Sequence, residues 1–137
     1  MIEIKFFIKE FPSDLSKSYS LDAYTEGDLS IHVNGEIAFD EEGILLVELS
    51  EKLDSWIVRL DVESDLVSDF YYASMDFEEE PILAFNYNVD EQIFRIESVW
   101  SKGKTAVKKG ELVNACKIFI NQLNGAVQEK IKEHQKR

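Results

Sequence analysis

The chain has 137 residues, a formal net charge of −12 and a hydrophobic fraction of 45%. That hydrophobic fraction excludes a disordered acidic tail, and the length is typical of a single domain with one core. Residues 1–100 carry 24 acidic and 6 basic side chains, whereas residues 101–137 carry 3 acidic and 9 basic ones. So acidic a surface repels phosphates, which argues against nucleic acid as the main partner.

The N-terminal third predicts a strand followed by a hairpin. In "IEIKFFIKE", apolar residues alternate from Ile2 to Ile8, the period of a strand with one buried face. The runs "DLSIHV" and "EIAF" then flank Asn34-Gly35. This pair favours the centre of a type I′ turn because both residues tolerate positive φ.

The next segment predicts a helix. Apolar residues recur at spacings of three and four between residues 45 and 60, which gives one apolar stripe. Asp40 is placed to cap the N-terminus, with the two following glutamates in the first turn, where the helix dipole favours negative charge. A competing assignment makes residues 43–49 a strand, with a short helix from Ser50, because short apolar runs fit either structure.

The remainder predicts three more strands and a long terminal helix. The strand-like runs are "DFYYASMD", "ILAFNYNV" and "QIFRIESVW", and the helical stripe extends from about Gly110 to Ile131, with Asn124-Gly125 as a candidate break. The order β-ββ-α-βββ-α predicts a single acidic α+β domain over residues 1–137. We expect a largely antiparallel sheet of about six strands, with two helices packed on one face.

Several motifs mimic catalytic or metal sites without meeting their requirements. The run "DFEEEP" resembles the start of a calcium loop, but Pro81 stands where that loop needs glycine and Tyr87 where a carboxylate should close it. A solvated run also lacks the burial and separation of a catalytic carboxylate pair. The "GKT" at residues 103–105 lacks the earlier glycine of a phosphate-binding loop.

Cysteine and histidine also predict no catalytic or metal site. Cys116 lies on the apolar stripe of the terminal helix, where a buried thiol packs as a small hydrophobe. His32 and His134 are far apart in sequence, and we expect His32 at the surface. We therefore expect no cofactor and no enzymatic activity. The lone cysteine, and the absence of any run near the roughly 18 apolar residues that span a bilayer, predict a cytoplasmic protein without membrane contact.

Acidic and aromatic residues alternate in "DFYYASMDFEEE", which predicts a protein-binding surface. Strand alternation sends Phe70 and Tyr72 to one face and Tyr71 to the other, so at least one tyrosine should face solvent. Aromatic rings supply buried area and carboxylates pair with arginine, which suits a basic partner. A competing interpretation has both tyrosines packed under a helix. The predicted partner-binding residues are Asp69, Tyr71, Tyr72, Asp76, Glu78, Glu79 and Glu80.

The order of these segments also resembles a group of known proteins. An N-terminal strand, an Asn-Gly hairpin, "ILLVELSEKLDSWI", the "FYYASMDFEEEPILAF" hairpin and "FRIESVW" before a terminal helix resemble small acidic bacterial proteins similar to immunity proteins of polymorphic toxin systems. The resemblance implies a cytosolic inhibitor of a secreted, often basic toxin. We separately expect a monomer or a weak homodimer. Two alternatives stay open: a structural or self-associating module, and an enzyme with an unrecognised carboxylate site.

Overall fold

A computed structural model of the protein describes residues 1–62, 69–73, 82–98 and 101–135. Within these residues the chain forms seven strands and three helices. In chain order they are β1 (Ile2–Glu10), α1 (Ser20–Tyr24), β2 (Glu26–Val33), β3 (Glu36–Leu45), α2 (Leu46–Val62), β4 (Phe70–Tyr72), β5 (Leu83–Asn88), β6 (Ile93–Ser98), β7 (Ser101–Lys108) and α3 (Lys109–Gln135).

The α+β class is confirmed, but the predicted single sheet of six strands with two helices is wrong. The strands form a three-stranded sheet of order β1-β2-β3 and a four-stranded sheet of order β4-β5-β6-β7, and every pairing is antiparallel. Helix α2 contacts β2, β3 and β4, while α3 contacts β1 and β7. Both helices thus contact strands of both sheets. Each sheet can bury its inner face against these helices without hydrogen-bonding to the other sheet.

The first sheet follows the predicted alternation. Ile4 is buried, and Ile2, Phe6 and Ile8 pack partly buried against the core. The ring of Phe6 meets that of Phe119 in α3 edge to face, with centroids 5.7 Å apart. In the hairpin that follows, Asn34 and Gly35 have φ values of 52° and 86°, which confirms the turn that their sequence favours.

The boundary between β3 and α2 differs from both sequence-based assignments. Asp40 and the two glutamates after it lie in β3, so the predicted N-cap is wrong, and the helix begins at Leu46 rather than at Ser50. Two features of the fold extend the strand: β2 supplies ladder partners up to Leu45, and Gly43 has a φ of 72°, which no helix accommodates.

Two elements have weak sequence signals and were not predicted. The short helix α1 precedes β2, and β7 includes the "GKT" at 103–105, which is therefore part of a strand. The predicted terminal helix is confirmed as α3, and it continues without interruption through Asn124-Gly125, the candidate break. Burial of Leu123 and Val127 on either side of this pair stabilises the helix there.

Aromatic rings dominate the core beneath the four-stranded sheet. The indole of Trp56 in α2 is fully buried, and its ring centroid lies 5.5 to 5.6 Å from those of Phe70, Phe85 and Phe94. The thiol of Cys116 in α3 is also fully buried, which confirms its predicted packing role. Burial raises the pKa of that thiol to about 12.

Candidate protein-binding surface

The outer face of the four-stranded sheet carries polar and charged side chains, among the described residues, around the small buried side chain of Ala84. In β4, Phe70 and Tyr72 point inward, and Tyr71 points outward with 57% of its surface exposed. The pairing register sets Tyr71 beside Ala84, which in turn lies beside Glu97 of β6. Side chains that share this orientation form the outer acidic face: Asp69, Tyr71, Asn86, Arg95 and Glu97.

Hydrogen bonds fix the aromatic and acidic groups of this face. The Tyr71 hydroxyl donates to Asp69 Oδ2 at 3.0 Å, while Asp69 Oδ1 accepts the backbone N–H of Tyr87 at 2.8 Å. On the next strands, Asn86 Nδ2 donates to Glu97 Oε2 at 2.6 Å. Both carboxylates are thus oriented before any partner arrives, and each retains acceptor capacity.

A hydrogen bond to Asp69 favours the neutral form of the Tyr71 phenol. The hydrogen bond from the hydroxyl to Asp69 raises the pKa of Tyr71, with smaller contributions from partial desolvation and from the negative charges of Asp69 and Glu97. Two cations share this orientation among the described side chains: Arg95, which lies opposite Asn86 with its Nη2 3.6 Å from Glu91 Oε2, and Lys108 of β7, which lies opposite Ile93. The face therefore offers a neutral phenol beside the carboxyl groups of Asp69 and Glu97.

A groove runs between β4 and the exposed side of α2. It is lined by Glu51, Lys52, Ser55, Arg59, Phe70 and Tyr71. At its edge the Lys52 ammonium lies 5.6 Å from the centroid of the Tyr72 ring and 3.8 Å from Glu48 Oε1. Tyr71 thus borders both the outer acidic face and this groove, whose lining carries charges of both signs.

The carboxyl group that lines this groove, that of Glu51, has a raised pKa. Partial burial, a hydrogen bond with Asp22 of α1 and repulsion from the charges of Asp22 and Glu48 raise its pKa from 4.5 to about 7. The enzyme alternative requires two such groups enclosed in a pocket, whereas Glu51 lies in an open, solvent-exposed groove. Over residues 1–62, 69–73, 82–98 and 101–135, no three His, Cys, Asp or Glu side chains are grouped closely enough to hold a metal ion.

The predicted partner-binding residues have different locations. Asp69 and Tyr71 lie together on the outer acidic face. Tyr72 is 1% exposed and packs in the core, as the competing interpretation of a buried tyrosine proposed, so it contributes nothing to the outer surface. The remaining four predicted residues lie outside the described part of the chain: Asp76, Glu78, Glu79 and Glu80.

Sequence reasoning missed Glu97 and Asn86, although a signal for the first was present. In "FRIESVW", Phe94 and Ile96 are apolar and buried, so period-two alternation sends Glu97 outward. Its proximity to Tyr71 depends on the order of β4, β5 and β6, which the sequence leaves open. His32 was expected at the surface; it is half-buried, and its Nε2 lies 3.0 Å from Ser30 Oγ.

Fold and surface together define a two-sheet α+β protein with an acidic, tyrosine-bearing outer face. Residues 4–129 match the family model described as domain of unknown function DUF7878, and the chain belongs to this family. Neither a curated protein nor a solved structure gives a significant match. Among the described helices, none combines the length and the apolar character needed to cross a bilayer.

Proposed function

We propose that this protein is a non-catalytic protein-binding module of the cytoplasm, an immunity-type inhibitor that neutralises a basic toxin by covering its cationic surface. One observation carries the proposal: Tyr71 is largely exposed, and hydrogen bonds hold it beside the carboxylate of Asp69 on a sheet that also presents Glu97. An exposed aromatic ring among acidic groups is the chemistry that anchors an arginine-rich partner.

The rigidity of the outer acidic face supports a binding role. Binding costs free energy wherever side chains must be ordered, and a surface that is already ordered avoids part of that cost. Here Asp69 is tied to the backbone of β5 and Asn86 is tied to Glu97. A guanidinium group can therefore find its acceptors in place.

The distribution of charge supports fast capture of such a partner. With 24 acidic and 6 basic side chains, residues 1–100 attract cationic proteins over long distances. Steered association reaches about 10⁸–10⁹ M⁻¹s⁻¹ at low ionic strength and falls as salt screens the charges. The acidic run 76–80 connects β4 to β5 in sequence and adds to the charge of these strands.

A capture experiment tests the proposal directly. Wild-type protein, Tyr71→Ala and Glu97→Gln are immobilised and exposed to lysate of the source cells at low salt, with Asp90→Asn as a control that removes one exposed charge elsewhere. We expect one basic protein to bind the wild type and Asp90→Asn at equal stoichiometry, and to bind Tyr71→Ala at least about tenfold more weakly.

A toxicity assay of the captured protein then distinguishes inhibition from binding without inhibition. Co-expression with the wild type should relieve its toxicity, and co-expression with Tyr71→Ala should not. Reversal of Glu78, Glu79 and Glu80 to lysine should slow association in stopped-flow experiments far more than it lowers the melting temperature. Equal capture by all variants, or a captured protein without toxicity, would refute the proposal.

A further inference from the structure

Strand β1 has one edge without a strand partner among the described residues. It lies at the end of the order β1-β2-β3. The carbonyl of Met1 accepts the N–H of Asn34 at 2.8 Å, so odd-numbered residues of β1 direct their backbone groups toward β2. The N–H and C=O groups of Ile2, Ile4 and Phe6 consequently point away from the sheet and are free to pair with another strand.

A groove follows this free edge. Residues 1–5 form one side, and a single stripe of α3 forms the other, at spacings of three and four: Glu111, Asn114, Ala115, Ile118 and Gln122. Ile118 is 48% exposed within this stripe. A strand added to β1 would lie over α3 and bury it.

We propose that a second copy of this chain occupies the groove, with the two β1 strands antiparallel and a two-fold axis at Ile4. Each Glu3 then faces Lys5 of the second copy, and each Met1 faces Phe7 of the second copy. The result is one continuous six-stranded sheet, β3-β2-β1 followed by its symmetry mate, with the two α3 helices side by side beneath it.

Two-fold symmetry places the axis at one residue of β1. Because Ile2, Ile4 and Phe6 direct their backbone groups toward the free edge, the axis passes either through one of them, as a hydrogen-bonded pair, or through Glu3 or Lys5, as a non-hydrogen-bonded pair. An axis at Glu3 or Lys5 sets two like charges directly opposite each other, which is destabilising. An axis at Ile2 pairs only three residues. An axis at Phe6 extends the ladder across the irregularity between Ile8 and Glu10. An axis at Ile4 pairs residues 1–7, none of which reaches that irregularity, and all of them from Ile2 onward belong to β1.

Side-chain chemistry selects the same register. Within one strand, Glu3 Oε2 lies 3.7 Å from Lys5 Nζ. Pairing about Ile4 places an opposite charge across from each of them, so the four charges alternate in sign. It also covers Met1 and Phe7, the two most exposed apolar residues of this edge at 74% and 64%. On the inner face, Ile4 meets its own copy, which continues the apolar layer.

Charge reversal with a matched rescue tests the pairing. Sedimentation equilibrium of the wild type should show a monomer–dimer equilibrium, and Glu3→Lys or Lys5→Glu should each raise the dissociation constant by about tenfold, because like charges then face each other. The double variant Glu3→Lys/Lys5→Glu restores opposite charges and should return the constant to within about threefold of the wild type. Thermal melts of the four proteins confirm that each is folded.

Cysteine cross-linking tests the register itself. Glu3 and Lys5 face each other as a non-hydrogen-bonded pair, where β-carbons are close enough for a disulfide. Mixing Glu3→Cys with Lys5→Cys should form the mixed disulfide at least fivefold faster than either variant cross-links alone, and buried Cys116 should not interfere. A monomer at all concentrations, a double variant without rescue, or equal cross-linking rates would overturn the proposal. The acidic-face inhibitor would stand in each case, because it uses the other sheet.

Discussion

Tyr71 and Tyr72 are adjacent in β4 and have opposite environments. Tyr71 is 57% exposed and bonds to Asp69, whereas Tyr72 is 1% exposed and belongs to the core. The same contrast holds for the whole four-stranded sheet: its inner face packs on Trp56, and its outer face holds acidic and amide groups. Similar residue types thus stabilise the fold on one side and are available for binding on the other, and strand parity decides which.

The largest effect is expected from Trp56 on the inner face. Trp56→Ala removes the ring that contacts Phe70, Phe85 and Phe94, and should lower the free energy of unfolding by about 3–5 kcal/mol in urea titrations. Val58→Ala in the same helix is the control, because Val58 is exposed. A comparable loss for both variants would contradict the assignment of the core to this side of α2.

Alanine substitution of Tyr71 and Tyr72 tests the difference between the outer and inner faces of the four-stranded sheet directly. Tyr72→Ala should cost about 3 kcal/mol or more because it opens a cavity in the core. Tyr71→Ala should change stability by no more than about 0.5 kcal/mol, because its ring is largely solvated. Equal losses in chemical denaturation would show that the outer acidic face also stabilises the fold.

Cys116 tests the packing of α3 against the core, because its side chain is fully buried. Its full burial and its pKa of about 12 predict that the thiol does not react with a disulfide reagent until the protein unfolds. Cys116→Ser buries a hydroxyl group in an apolar site and should cost about 1–3 kcal/mol. Rapid labelling of the native protein at neutral pH would mean that this helix does not stay packed.

The smallest effect on stability is expected from the titration of Glu51, which lines the groove between β4 and α2. The pKa of Glu51 is about 7 in the folded protein and 4.5, its ordinary value, in the unfolded chain. Between these pH values the folded protein therefore binds more protons than the unfolded one. Stability should therefore fall as pH rises through this window. Because the side chain is exposed, water screens the repulsion and the fall is small.

Glu51→Gln removes this pH dependence. The variant should melt slightly higher than the wild type at pH 8 and equally at pH 4, whereas Asp54→Asn in the same helix should follow the wild type at both pH values. A wild-type melting temperature that rises between pH 5 and pH 8, with no difference for Glu51→Gln, would contradict the close approach of Glu51 and Asp22.

Features that depend on neighbours along the chain could be read from the amino-acid sequence alone. Period-two alternation gave the inner face of β1 and the opposite orientations of Tyr71 and Tyr72. The tolerance of Asn34-Gly35 for positive φ gave the hairpin, and the apolar stripe gave α3 and the burial of Cys116. Backbone sterics and helix periodicity act over a few residues, so a single sequence reveals them.

Features that depend on partners distant in sequence became visible only in the folded chain. The division into two sheets, the extension of β3 to Leu45 and the strand β7 each rest on ladder partners or helix packing that no local pattern encodes. Strand order likewise brings Glu97 near Tyr71 and, within the described part of the chain, leaves the outer edge of β1 without a strand partner. Hydrogen bonds between strands form wherever tertiary packing places the edges, so pairing is a property of the folded chain.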